Sequence, residues 1–492
     1  MKNHKRSLIA AALGLIVLLG TVVVVRVAIN PNWNLAKFQN QELRWDSCYG
    51  DFECSSFKVP VDYDAIDGRT FTLQVLRRMA TDQRNRLGSL IVNPGGPGGS
   101  GVDYAYNADS IVSPAIINKY DIVGFDPRGV NTSEPVRCLT DSEEDKFLAN
   151  DGQAKNIDEV NKLVSAAKKF TKGCATIAGS KIGHYSTLET AKDMDILRRA
   201  LGDAKLNFLG KSYGTYLGTL YAALFPNSIG HMVLDGAVDP NVSFKEQNLV
   251  QAIGFDQALK DFLASQNKYS LSDVKKLISD ADSKPLIGTH QRPMTSALLI
   301  TAIAASLYDN RDGWPKLEIA LEQTINKQNP NGLLSIADDY FQRDSFGKYV
   351  SNENDISIMI TCSDWPVSQS PQEMFKDTTA FKNAAPVFGP FLSFAGLPCK
   401  YWPAKPVMPK QSLTNLKTPP IVVIGVTRDP ATPYVWAKAL SKDLPNSVLL
   451  TYDGEGHTGH GRGNACIDSK VDAYFLRNLS PATGSVCVAS GN

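Results

Sequence analysis

Apolar and polar positions alternate with three different rhythms along this chain. "FKVPVDYD" and "TFTLQVLRRMA" alternate at a period of two, separated by the turn-forming "AIDGR", and predict an antiparallel hairpin. "SLIVNPGGPGGSG", "YDIVGFDPRG", "LNFLGKSYG", "HMVLDG", "PPIVVIGVTRDPATP" and "SVLLTYD" each carry a short continuous apolar run that ends in glycine, proline or aspartate. Such runs predict strands buried on both faces, as in a parallel sheet. Between them, helix-type spacing occupies about 155–175, and "TLETAKDMDILRRALG" is an amphipathic helix stopped at Gly202. Short buried strands alternating with helices predict an α/β architecture with a mostly parallel central sheet.

The rhythm changes after Pro240. "FKEQNLVQAIGFDQALKDFLAS", "SALLITAIAASLY" and "WPKLEIALEQTI" are helical, and no buried-strand run recurs before "PPIVVIGV". Residues 241–405 therefore read as a helical cap inserted into a core made of 46–240 and 406–492. A helix is expected at 434–444 and a last one at about 467–476. Residues 27–45 read as a polar tether.

The N-terminus adds a location. Lys2, His4, Lys5 and Arg6 precede an apolar run from Leu8 to Val25 that ends at Arg26. This is a positive flank followed by a stretch just long enough to span a bilayer. Residues 1–26 are a signal peptide or a membrane anchor; without a small-x-small cleavage site the anchor is favoured. Either way the rest is expected outside the cytoplasmic membrane, secreted or anchored to its outer face. The eight cysteines agree with an oxidising compartment. They fall as sequential pairs, and short loops close most readily. The preferred pairing is Cys48 with Cys54, Cys138 with Cys174, Cys362 with Cys399 and Cys466 with Cys487. The formal net charge of +1 and the absence of a basic patch argue against nucleic acid as a partner.

The chemistry centres on "GKSYG". Gly210-Lys211-Ser212-Tyr213-Gly214 lies between an apolar strand and a helix, the setting of a strained turn that exposes a serine nucleophile. A P-loop reading of "GKS" fails because Lys205 stands where its first glycine must be. A serine needs a base, and there are six histidines. On this fold the order is serine, acid, histidine, which leaves His457 and, as runner-up, His460. His457-x-x-His460 lacks companion ligands for a metal pair, and no metal or other cofactor is expected. Asp429, just after "IVVIGV", is the expected acid; Asp235, after "HMVL", is the alternative. Thr432 would support Asp429 or cap the following helix. The oxyanion donors are expected at the amides of Tyr213 and Gly96, the latter in the glycine loop Pro94–Gly101. Gly96-x-Gly98-x-x-Gly101 also fits a dinucleotide fingerprint with Asp121 or Asp126 as its acid. Pro97 removes an amide from that cradle and weighs against it.

"VPVDYD", "NPGGPGGSG", "DIVGFDPRGVNTSEP", "DMDILRRALG", "GKSYGTYLGTLYAALFP", "VLDGAVDP", "TRDPATPY" and "GEGHT" occur in this order. As a set, covering about 45–490, they resemble the secreted tripeptidyl aminopeptidase branch of the prolyl-iminopeptidase-like α/β-hydrolases. The resemblance implies an α/β-hydrolase fold with an inserted helical cap, paired cysteines, and a triad of Ser212, Asp429 and His457. It implies release of tripeptides or single residues from peptides with free N-termini. Lys211 and Asn131 depart from the family pattern: a small residue is usual in the elbow, and "RGxGxS" is here "RGVNTS". An exopeptidase needs a carboxylate for the substrate ammonium, and Asp364 in "TCSDW" is the candidate. Two other readings stay open: a secreted carboxylesterase acting on small esters, and a catalytically silent anchored binding protein.

Overall fold

The computed structural model describes residues 34–150, 152–407 and 413–489. The basic flank and apolar run of residues 1–26 lie outside the described residues. Among those described, no helix is long and apolar enough to cross a membrane.

Ten strands form one sheet: β1 (Asp46–Cys48), β2 (Phe52–Pro60), β3 (Thr70–Arg78), β4 (Gly88–Asn93), β5 (Tyr120–Phe125), β6 (Leu206–Lys211), β7 (Ile229–Asp235), β8 (Ile421–Arg428), β9 (Ser447–Glu455) and β10 (Val486–Val488). Their order is β1-β2-β3-β5-β4-β6-β7-β8-β9-β10. The β2–β3 hairpin expected from "AIDGR" is antiparallel, with Ser55 opposite Val75. From β5 to β10 all pairings are parallel.

The period-two pleat explains why the parallel strands are apolar throughout. Ile91, Val123, Phe208, Leu234 and Val423 pack on one face. Leu90, Ile122, Leu209, Val233 and Ile424 pack on the other. Helices Thr187–Ala200, Tyr213–Leu224 and Tyr434–Asp443 contribute to the first layer, and helix Ala465–Arg477 to the second. A polar residue on either face would be buried, so the alternation seen in the hairpin is missing here.

Between β7 and β8 the described chain is helical apart from two isolated bridges. Phe262, Leu299, Leu317 and Leu333, from four of these helices, build a hydrophobic cluster separate from the sheet layers.

The tether expectation needs correcting from residue 34 onward. Leu35–Gln39 is a helical turn capped by Asn34, and Phe38 is buried in the main core. Gln41 exchanges two hydrogen bonds with Lys58. One aromatic anchor and this backbone clamp outweigh the polar composition that suggested a free tether.

Four disulfides join Cys48–Cys54, Cys138–Cys174, Cys362–Cys399 and Cys466–Cys487. The first staples β1 to β2, the third lies in the cap, and the last ties helix Ala465–Arg477 to β10.

Candidate active site

The connections around β4 decide where a site can form. β4 lies between β5 and β6, so the chain leaves β4 toward one side and returns as β6 on the other. The loops after β4 and β6 then diverge and open a crevice at the carboxyl edge of the sheet. Asn93 pairs with Gly210, which sets the glycine loop after β4 beside the elbow after β6.

Ser212 sits in that elbow at φ 55° and ψ −126°, a conformation L-residues rarely adopt. Its neighbours explain how it is held. A Cβ at Gly210 would come within 2.4 Å of the Gly214 carbonyl, and one at Gly214 within 2.7 Å of Asn93 Oδ1. The Ser212 amide donates to the Asp235 carbonyl at 2.8 Å. Tyr213 starts the helix, so its amide is at the positive end of the helix dipole.

The glycine loop closes over this turn. A Cβ at Gly95 would lie 2.6 Å from the Lys211 carbonyl and 3.2 Å from the Tyr213 amide nitrogen. Gly96, at φ 108°, lines a cavity of about 80 Å³ together with Ser212, Tyr213 and Thr432. The loop is pinned from below by Asp126, which accepts from Ser100 Oγ at 2.6 Å and from the Val102 amide at 3.2 Å. Asp126 therefore braces the glycine turn instead of facing outward as a ribose ligand would.

His457 and Asp429 come from the loops after β9 and β8. His457 Nδ1 lies 2.9 and 3.0 Å from the two Asp429 oxygens. Asp429 also accepts from the amides of Ala431, Thr432 and Thr458 and from Thr432 Oγ1 at 2.9 Å. That many donors fix the position of the carboxylate. His457 Nε2 is buried without a hydrogen-bond partner, and the His457 amide donates to the Tyr308 carbonyl of the cap at 2.8 Å. A Cβ at Gly236, the residue after the Asp235 carbonyl that takes the Ser212 amide, would lie 3.3 Å from the His457 ring. The imidazole thus rests on the loop that carries the Ser212 amide contact.

The two alternatives have other tasks. Asp235 is fully buried and accepts from the amides of Gly459 at 2.7 Å and His460 at 2.9 Å. Burial pushes its carboxyl up, against the pull of Lys211 and those amides. It holds the histidine loop by its backbone and does not touch the His457 ring in the hydrogen-bond network. His460 is 2% exposed, and burial together with the Lys211 charge lowers it to about 3. It stays neutral and away from solvent.

Lys211 and Asn131, the two departures, are explained by their contacts. Lys211 Nζ donates to the His460 carbonyl at 2.7 Å. Asn131 has φ 39°, the left-handed region that asparagine tolerates best after glycine. Its side chain reaches Ser100 and Asp103, beside the glycine loop. Arg128, in the same "DPRGVNTS" segment, is buried and bonded in fork geometry to Asp193.

Asp364 is not at the cavity. It is fully buried, and Thr187 donates to both its oxygens, from the amide at 2.8 Å and from Oγ1 at 2.5 Å. Thr187 Oγ1 in turn bonds the Tyr213 hydroxyl. The amine-anchor expectation fails here because Thr187, 177 positions earlier in the chain, claims the carboxylate. The acid that does stand at the glycine loop is Glu353, which starts helix Glu353–Asp364. Its Oε1 would be 3.3 Å from a Cβ at Gly96, and its Oε2 accepts from Gln342 at 2.8 Å. Burial pushes Glu353 up. Nothing local marks it: it follows "YVSN" in a cap segment whose meeting with the glycine loop spans over 250 residues. Tyr216, Phe244, Tyr308, Trp365 and Trp436 give the cavity an aromatic lining, and Gln247, also on it, presents a buried, unpartnered Oε1.

One group of metal-compatible side chains occurs among the described residues, Asp62, His184 and Glu189. Arg128 lies 3.5 Å from Glu189 and donates to the His184 carbonyl, so a resident guanidinium already supplies positive charge there.

Residues 88–274 match the family described as alpha/beta hydrolase fold, and 385–487 match the family described as TAP-like protein. Serine protease Hip1 of Mycobacterium tuberculosis is 33% identical over 91% of this chain and 91% of its own length. The chain is a TAP-like member of the α/β-hydrolase family. Tripeptidyl aminopeptidase of Streptomyces lividans is 31% identical over 90% of this chain and 86% of its own length. Carboxylesterase B of Mycobacterium tuberculosis is 35% identical over 88% of this chain and 86% of its own length. This TAP-like hydrolase is thus similar to proteins named for peptide and for ester cleavage.

Proposed function

We propose that this TAP-like hydrolase is an exported serine aminopeptidase that releases tripeptides or single residues from free peptide N-termini. Ser212 attacks the scissile carbonyl, and His457 Nε2 takes its proton. Asp429, bonded to Nδ1, holds the tautomer and stabilises the imidazolium. The amides of Tyr213 and Gly96 receive the oxyanion. His457 then gives its proton to the leaving amine, and water, activated by the same nitrogen, resolves the acyl-enzyme. Thr432 holds the Asp429 carboxylate through its amide and its hydroxyl.

The observation that carries the aminopeptidase reading is Glu353, a half-buried carboxylate beside Gly96 with one oxygen bonded to Gln342. An ammonium placed there gains a charge-assisted bond in a site poor in water. Gln247, which lines the cavity beside Gly96, offers its unpartnered Oε1 as a further acceptor. The four disulfides and the apolar run of residues 8–25 support export, with that run as anchor or signal.

The esterase reading rests on the aromatic cavity wall and on the similarity to carboxylesterase B. A tripeptidyl anilide, its N-acetylated form and a small p-nitrophenyl ester separate the two. The aminopeptidase should lose at least ~100-fold in kcat/KM on acetylation, the size expected when a buried charge is left unpaired. Equal turnover of the free and acetylated anilides, with faster ester cleavage, would establish the esterase instead.

A further inference from the structure

Lys211 is a costly residue to put beside a nucleophile. A partly buried ammonium must find acceptors, and a small residue would satisfy the tight turn without that demand. Its side chain runs from the end of β6 beneath the loop that follows His457. There Nζ donates to the His460 carbonyl at 2.7 Å, and its charge acts on Tyr104 in the helix after the glycine loop. A Cβ on Gly461 would lie 3.6 Å from the same nitrogen.

Asp235 completes the arrangement. Lys211 and Asp235 are direct partners across β6 and β7. Asp235 takes the amides of Gly459 and His460, while Lys211 takes the His460 carbonyl. Donor and acceptor sides of one short backbone stretch, two and three residues past His457, are thus held by one pair of opposite charges. The main chain of that pair holds the nucleophile, because the Ser212 amide bonds the Asp235 carbonyl.

We infer that Lys211 and Asp235 are a positioning pair that sets the separation and angle between Ser212 and His457. The inference rests on the triad reading above. It assigns to the residue that departs from the family elbow a task in aligning the base. Neither side chain touches the substrate. Their effect passes through the 459–461 backbone and through the field they cast on the imidazole. The charged and titratable groups facing His457 are Asp429 at Nδ1, Asp235 and Lys211 beneath its loop, Tyr308 against the ring, and Arg462, whose guanidinium lies 3.5 Å from the His457 carbonyl.

The test uses the full-length protein and the variants Lys211→Met, Asp235→Asn and Lys211→Arg, with kcat, KM, the pH profile of kcat/KM and the thermal midpoint measured for each. Lys211→Met keeps the aliphatic length and should lower kcat about 10- to 100-fold, the loss expected from misplacing reacting groups by a fraction of an ångström to an ångström. KM should stay within about threefold, because ground-state contacts are untouched. Removing the ammonium leaves Asp235 unbalanced near the imidazole, so the acid limb of kcat/KM should move to higher pH. Asp235→Asn leaves Lys211 unbalanced, and the limb should move to lower pH. Lys211→Arg keeps the charge and should recover at least ~5-fold of the kcat lost in Lys211→Met. Opposite displacements of one limb cannot come from a general loss of packing. Wild-type kcat and an unmoved limb in Lys211→Met would overturn the inference. So would limbs that move the same way in both charge-removing variants, or a kcat loss that only follows the unfolded fraction. Labelling by a fluorophosphonate separates this from failure of the triad: an unlabelled wild type sinks the triad. A Lys211→Met variant labelled at the wild-type rate sinks the positioning pair alone.

Discussion

The floor and the roof of this site are built on different terms. On the floor, Ser212, Asp429 and His457 stand at the ends of parallel strands, and backbone hydrogen bonds fix each of them or its loop. Asp429 alone accepts three amides and a hydroxyl besides the imidazole contact. On the roof, Glu353, Tyr308 and Gln247 come from separate cap helices or their ends, and what they turn to the site is side chain: Glu353 bonded to Gln342, and the Tyr308 ring edge-on to His457. A floor locked by backbone bonds suits chemistry that tolerates little misplacement. A roof of side chains can be re-cut without disturbing that geometry, which fits a family whose members are named for both peptide and ester cleavage.

If this contrast is right, floor variants should lose turnover on every substrate, and roof variants should change only which substrate is preferred. The largest loss is expected from Ser212→Ala, on the order of 10⁶ in kcat, on anilides and esters alike. Asp429→Asn should follow at roughly 10⁴-fold, since the amide leaves the wrong tautomer facing Ser212. Glu353→Gln should reduce kcat/KM on free-N-terminus peptides by about 100-fold, while cleavage of a p-nitrophenyl ester stays near wild type. A parallel loss on the ester would move Glu353 from the roof to the floor. Thr432→Val removes one of the bonds to Asp429 and should lower kcat about 10-fold, the equivalent of one charge-assisted bond.

The smallest effect is on stability and depends on pH. Burial pushes Asp364 up to about 7. Between the ordinary carboxylate range and that value the folded protein holds a proton that the unfolded chain has released. Stability should therefore be fullest at the acid end, fall as pH rises through this window, and level off above it. Asp364→Asn mimics the protonated acid. The difference in thermal midpoint, variant minus wild type, should grow from pH 5 to pH 8; a constant difference would show that Asp364 does not titrate in this range.

The floor was legible in the sequence for a physical reason. Strands buried on both faces must be apolar throughout, and a tight elbow must be flanked by glycines, so both leave local marks. The order of serine, acid and histidine then narrowed six histidines to two. What stayed hidden depends on contacts between distant segments. Asp235 could be read as the triad acid because its true partners, the Gly459 and His460 amides, lie more than 200 positions away. Asp364 was attractive in "TCSDW" until Thr187 proved to claim it. Glu353 carried no signal, because what singles it out is the glycine loop from the other end of the chain. Strands β1 and β10 have three residues each and show no period at that length. Phe38 was a lone aromatic in polar surroundings, and only the core behind it makes it an anchor.

Everything proposed for the floor depends on Ser212 being an activated nucleophile in a working triad. The most direct test is the intact mass of the folded protein after brief exposure to a fluorophosphonate, followed by peptide mapping. A single adduct is expected on the peptide carrying Ser212, none in Ser212→Ala, and much slower labelling in Asp429→Asn. An unlabelled wild type, or an adduct that persists in Ser212→Ala, would contradict it.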